Sequence, residues 1–147
     1  MKILESIREQ NQSTALQSLV EQIPYARFLG LQVELKGNEL TTVLPFKNEL
    51  IGNQNLPAVH GGVLGAFLEL TSVMQLLFLT PNESLPRTVD IGIDYLRSGR
   101  PQEMYGRAIV TRQGRRVANV RAEIWQEDKS KPIAASHGHF LLMPTGA

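Results

Sequence analysis

The chain has no cysteine, a single tryptophan and no marked surplus of either charge. Without thiols there is no disulfide framework, no thiolate metal site and no cysteine nucleophile. The 15 basic and 14 acidic residues leave a formal charge of +1, so the basic face that nucleic-acid binding requires is not expected. Internal repeats, low-complexity tracts and linker-like stretches are missing as well. The 147 residues therefore read as one domain, 1–147, with enough core to fold alone. A hydrophobic fraction of 42% and a charged fraction of 20% are ordinary for a globular chain. The opening MKILESIREQNQ lacks the continuous apolar stretch of a secretory signal. Long apolar runs are scarce too. The longest, HGGVLGAFLELTSVMQLLFLT over residues 60–80, is interrupted by Glu69, Thr71, Ser72 and Gln75, which argues against a membrane span. A cytoplasmic domain with no membrane or nucleic-acid partner is the expectation.

What is present is a clear order of periodicities. Ile3, Leu4 and Ile7, then Leu16, Leu19, Val20 and Ile23, recur at helical spacing. They predict an amphipathic helical extension over residues 1–23, with a break near Asn11 and an end before Pro24. LQVELKGNELTTVLPF predicts two short strands around a Lys36-Gly37-Asn38 turn, and residues 48–59 have loop composition. The long apolar helix follows. Beyond Pro81, Val89, Ile91, Ile93 and Tyr95 alternate with Asp90, Gly92 and Asp94, a period-two strand. Further strands are predicted near 104–112, 116–127 and 132–143, separated by RQGRR and EDKSK turns. Four successive strands with short turns imply an antiparallel meander. The sum is an α+β fold in which a curved antiparallel sheet of about six strands wraps one long central helix. Enclosure would explain a helix that is apolar all round.

Such a helix should not carry a free carboxylate, because desolvation disfavours the ionised form by several kcal/mol unless partners compensate. Glu69 is either structural, facing water or paired with an arginine such as Arg97, or functional. Two features favour function. The helix opens with His60-Gly61-Gly62, and glycines there cost about 1 kcal/mol each in propensity relative to alanine. They allow a ligand or another backbone to press on the helix start. Its first amides lack internal partners and sit at the positive end of the dipole, so they can polarise a carbonyl that becomes negative. Gly62, Gly65 and Glu69, three and four apart, also share one helix face. The amides and the carboxylate nevertheless lie on the order of 11 Å apart along the axis. One subunit cannot bring both to one carbonyl, whereas a two-fold pair of antiparallel helices could, which points to a homodimer.

HGG, an acid nine positions after the histidine, and the strand VDIGIDYLRSG together resemble the hotdog-fold acyl-CoA thioesterases. The phenylacetate-degradation, 4-hydroxybenzoyl-CoA and enterobactin-pathway proofreading types are the nearest in pattern. The similarity runs from about Phe28 to Leu142. It implies hydrolysis of an acyl-CoA thioester to free acid and coenzyme A, with no cofactor and no metal. By position it implies Glu69 as general base or nucleophile and the Gly61 N–H as the group polarising the thioester carbonyl. It also implies Gln54 as the residue orienting the thioester, and His60 against the carbonyl or departing thiol. The resemblance further implies that the acid comes from one subunit and the other groups from its partner, in a homodimer that assembles to a homotetramer. Gly62 falls along the same substrate strip.

One position departs from that pattern. Members bearing a glutamate often place a hydroxyl one turn after it, where this chain has Val73, so the role of holding water would pass to Ser72. Arg97, Arg100, Arg112, Arg115 and Arg116 cluster near strand ends. In such thioesterases arginines there meet the nucleotide phosphates, and Arg97 is the one expected to do so. His137 and His139 share a strand face, but two ligands without a third do not make a metal site. Two rival readings keep the same fold: a non-catalytic acyl-CoA-binding protein and a dehydratase acting on hydroxyacyl thioesters.

Overall fold

The computed structural model describes residues 2–80 and 83–144. Helix α1, Lys2–Gln22, runs without the break expected near Asn11. Neither glycine nor proline interrupts it, and asparagine costs only a few tenths of a kcal/mol in a helix interior. Side-chain contacts to residues 31–37 tie it to the chain that follows. The Gln17 side chain donates to the Leu31 carbonyl at 3.1 Å and accepts from the Val33 N–H at 3.0 Å. Glu9 accepts from the Gly37 N–H at 2.9 Å. Leu16 and Val20 are buried, but Ile3, Leu4 and Ile7 stay exposed, so only the second half of the helix packs on the core. As the sequence predicts, α1 ends before Pro24. Proline, which has no N–H to leave unpaired, then opens a second short helix, α2, Pro24–Leu29. Gly30 at φ 76 closes α2 in a Schellman pattern, with Leu31 N–H bonded to the Ala26 carbonyl and Gly30 N–H to that of Arg27.

Strands β1, Gln32–Lys36, and β2, Glu39–Leu44, pair around the predicted turn. Gly37 is its first central residue at φ 61, which suits a two-residue hairpin loop. Residues 48–59 are more ordered than their composition suggests. A 3₁₀ turn at Asn48–Leu50 leads into a two-stranded ribbon of β3, Ile51–Asn53, and β4, Ala58–Val59. Helix α3, Gly61–Leu79, follows. Then come β5, Glu83–Tyr95, β6, Met104–Gln113, β7, Val117–Trp125, and β8, Ala134–Pro144.

The last four strands are not a simple meander. The sheet order is β1-β2-β6-β7-β8-β5, all antiparallel, so β5 pairs with β8 at the far edge and β6 lies beside β2. The period-two pattern identifies the strands but not their neighbours. Residues 96–103 carry the chain across the end of the sheet, tied down by a Val59 N–H to Gly99 carbonyl bond of 2.9 Å. Gln126 adds a brace, accepting from the Arg100 N–H and donating to the Arg100 carbonyl. Starting the sheet at its far edge lets it enclose α3 from both sides.

That enclosure is the expected one. Phe67, Leu68, Met74 and Leu76 of α3 are fully buried against Phe140, Ile124, Met104 and Leu44 of the sheet. Helix α3 is long and apolar enough to cross a membrane, but its apolar faces are already covered by strands. Deep in this core the hydroxyls of Thr42 and Thr71 bond at 2.7 Å, over Gly106 of β6. They tie the helix to two strands at once.

Candidate active site

His60 is the N-cap of α3, with extended backbone angles of φ −59 and ψ 134. Its N–H donates to the Leu50 carbonyl at 2.8 Å, which anchors the helix start to the 3₁₀ turn. Its carbonyl accepts from the N–H groups of Val63 at 2.9 Å and Leu64 at 3.2 Å. Its ring nitrogen Nδ1 accepts from the Gly62 N–H at 2.8 Å. A nitrogen that accepts cannot carry the proton, so the neutral ring holds it on Nε2. Three of the first four amides of α3 are thus satisfied within the chain. The Gly61 N–H makes no bond among the described residues. This leaves Gly61 as the free donor at the helix start, and Gly62 occupied by the histidine.

The glycine strip is close to another part of the chain, not open along its length. An ideal Cβ at Gly65 would fall 2.9 Å from Ile93 Cδ1, and one at Gly61 would fall 3.5 Å from the Tyr95 ring. Strand β5 therefore presses on this face of α3. The Tyr95 hydroxyl donates to the Gly61 carbonyl at 2.9 Å.

Glu69 lies mid-helix and half-buried, flanked by the buried Leu68 and Leu70. The ion pairs among the described residues are Arg107–Glu39 and His139–Asp90, so no arginine neutralises Glu69. Arg97 instead donates from Nη1 to the Pro132 carbonyl at 2.8 Å. Val73, one turn after Glu69, is 5% exposed and carries no hydroxyl. Ser72 is 1% exposed, and its hydroxyl donates to the Leu68 carbonyl at 3.0 Å, so only its lone pairs remain for another group.

Around the helix start, Gly61, Leu64, Tyr95 and Arg97 line a shallow cavity of about 410 Å³. Arg97 also lines a neighbouring groove of about 710 Å³ that holds Arg100 and Lys131 together with Glu127 and Asp128. Arg112, Arg115 and Arg116 lie elsewhere, at the β6–β7 turn. Gln54 is exposed in the turn between β3 and β4, outside the lining of both cavities. The structure thus gathers His60, Gly61, Gly62 and Arg97, and leaves Gln54 on the ribbon tip and Glu69 further along α3.

His137 and His139 do share a strand face, the outer one, away from α3. His139 Nδ1 lies 2.7 Å from Asp90 Oδ1, and this hydrogen bond holds the Asp90 carboxyl below its ordinary value. No three His, Asp or Glu side chains gather as a metal site among the described residues.

Sequence reasoning missed two features of this site. One is the ring of His60 acting as its own helix cap. The other is the bond from Tyr95, a residue that stood out in sequence only as part of a period-two strand and of the VDIGIDYLRSG motif.

This arrangement, a free helix-start amide beside a groove of mixed charge with an unpaired carboxylate along the same helix, suits attack on an activated carbonyl. Comparison with known proteins agrees with it. The profile described as "Thioesterase superfamily" matches residues 56–133. A medium/long-chain acyl-CoA thioesterase of Escherichia coli strain K12, YigI, is 29% identical over 125 residues, covering 75% of this chain and 80% of its own. A crystal structure from Chromobacterium violaceum aligns over 100% of both chains at 34% identity and a TM-score of 0.71. A phenylacetic acid degradation-related protein from Ralstonia eutropha JMP134 aligns over 81% of this chain and 89% of its own, at 24% identity and the same TM-score of 0.71. With a long helix enclosed by a six-stranded antiparallel sheet, and more than half its length matched by the family profile, this chain belongs to the thioesterase superfamily and has the hotdog fold.

Proposed function

We propose that the protein hydrolyses acyl-CoA thioesters at a site shared between two copies of the chain. The observation that carries this reading is the unoccupied Gly61 N–H at the positive end of α3. A donor fixed in place before reaction stabilises charge on a thioester oxygen without reorganising. Glu69 of the facing subunit deprotonates water or attacks the thioester carbon directly. His60 presents its Nε2–H to the carbonyl or the departing thiol, and Gln54 orients the thioester. Arg97, with Arg100 and Lys131, receives the nucleotide phosphates.

The homodimer rests on two supports. Along one subunit, Glu69 lies on the order of 11 Å from the helix start. Strand β5 is also a sheet edge with no further strand beside it among the described residues, and Leu85, Val89, Tyr95 and Leu96 on or beside it are at least half exposed. A long edge strand with that much uncovered apolar surface calls for a partner. Because YigI acts on medium- and long-chain acyl-CoA, those esters are the first candidates here, ahead of phenylacetyl-CoA.

Two variants test the chemistry. Glu69→Gln keeps the shape of the side chain and removes the base, and kcat should fall by about 10²–10⁴. Gly61→Pro deletes one N–H at the first helical position, where proline is tolerated, and should cost about 10²–10³ in kcat with little loss of stability. Mixed and refolded together, the two inactive chains should recover about one quarter of wild-type activity, since each heterodimer rebuilds one of its two sites. No recovery would place both groups in a single subunit. Thiol release unchanged in Glu69→Gln would remove the carboxylate from the mechanism. A wild-type protein that binds the esters without releasing thiol would instead be an acyl-CoA-binding protein.

A further inference from the structure

We infer that Tyr95 is a positioning residue for the Gly61 amide, acting through its phenolic hydroxyl. The inference rests on the proposed role of that amide. The Gly61 N–H belongs to the His60–Gly61 peptide, and two consecutive peptides set its direction. The carbonyl of the His60–Gly61 peptide accepts from Val63 and Leu64, which polarises the group and strengthens its own N–H as a donor. The next peptide, Gly61–Gly62, is gripped at both ends: its N–H by His60 Nδ1 at 2.8 Å, and its oxygen by the Tyr95 hydroxyl at 2.9 Å. The Gly61 Cα joins the two peptides, so without the second grip the Gly61–Gly62 peptide is held by His60 Nδ1 and the helix alone, and the Cα that carries the Gly61 N–H is less firmly fixed.

The anchor for this grip is rigid. Tyr95 pairs with Ala134 at the end of β5. The next two backbone amides, Leu96 and Arg97, both donate to the Ile133 carbonyl at 2.8 and 2.9 Å. The Tyr95 ring lies 3.5 Å from the position a Gly61 side chain would take, so it also closes the cavity wall beside the donor. Tyr95 is 56% exposed and lies on the edge proposed to meet a second copy, so packing the chain's own core does not account for its place. A tyrosine whose hydroxyl bonds the one peptide adjoining a free helix-start donor serves the site more than the fold.

The test is Tyr95→Phe, which keeps the ring against Gly61 and removes only the hydroxyl. Expected are a fall in kcat of about 3- to 10-fold, KM for a medium-chain acyl-CoA within about 2-fold, and an unchanged melting temperature. The Gly61 amide resonance in a ¹H–¹⁵N spectrum should shift. In the Gly61→Pro background, where no donor remains to be aimed, the same change should have no further effect on kcat. Wild-type kcat in Tyr95→Phe, or a loss that persists undiminished in the Gly61→Pro background, would overturn the inference and leave the proposed function standing. Full activity of Gly61→Pro would overturn both.

Discussion

The His60 ring caps its own helix, and the proposed function gives the same ring a second task. Nδ1 caps the Gly62 N–H, which leaves the Nε2 proton to face outward. Substituting alanine should remove both, costing about 1 kcal/mol of stability for the lost cap together with activity. Asparagine, whose side-chain oxygen also caps helices, should restore the stability and leave the activity low. Denaturant unfolding beside thiol release separates the two effects. A His60→Ala protein with the wild-type unfolding midpoint would show that the cap contributes nothing. Of the site residues, the glycine-opened helix and its lone acid pointed to Gly61 and Glu69, and the family resemblance added His60. It could not show that the Gly62 amide is taken or that Gly61's is free, because both depend on a ring rotamer. The pairing of Glu69 with Arg97 was a fair alternative from sequence, and the bond from Arg97 to the Pro132 carbonyl is what excludes it.

At the scale of elements, α3 is held by polar contacts as well as by apolar burial. The Thr42–Thr71 bond lies where only a glycine leaves room, since a Cβ at Gly106 would fall 2.6 Å from the Thr42 hydroxyl and 2.8 Å from that of Thr71. Gly106→Ala should force that pair apart and cost about 1–3 kcal/mol, read as a lower melting temperature. An unchanged melting point would mean that the sheet can shift to absorb the methyl. Nothing in GRAIV at residues 106–110 marks its glycine as different from one in a turn. Long-range packing alone assigns it. The strand β5 is the opposite case. Its alternation was legible, but its register beside β8 was not, because a period of two says which face is apolar and nothing about which strand lies alongside.

For the whole molecule, the edge at β5 is the place where a second copy is expected. Val89 on that edge is 61% exposed. Val89→Arg should disturb no contact within the chain and place a charge in the seam. Light scattering should then report 16.4 kDa, the mass of a single chain, where the wild type gives a multiple of it. Hydrolysis should fall while the far-ultraviolet dichroism is unchanged. A wild-type mass of one chain, or equal masses for both proteins, would remove the shared site. The apolar half of α1 that carries Ile3, Leu4 and Ile7 lies away from this edge, beside β1.

The amino-acid sequence alone determined the longest elements and their kinds: an apolar helix with a lone acid, a glycine hairpin, and strands of period two. These follow from local propensity and from the spacing of apolar side chains, which a linear reading can see. The tertiary structure decided what depends on distant parts of the chain meeting. That includes β5 at the sheet edge, the ribbon hidden in a loop-like stretch, and the tyrosine 34 positions from Gly61 that holds its carbonyl. Hydrogen bonds between residues so far apart have no periodicity, so only the folded arrangement displays them.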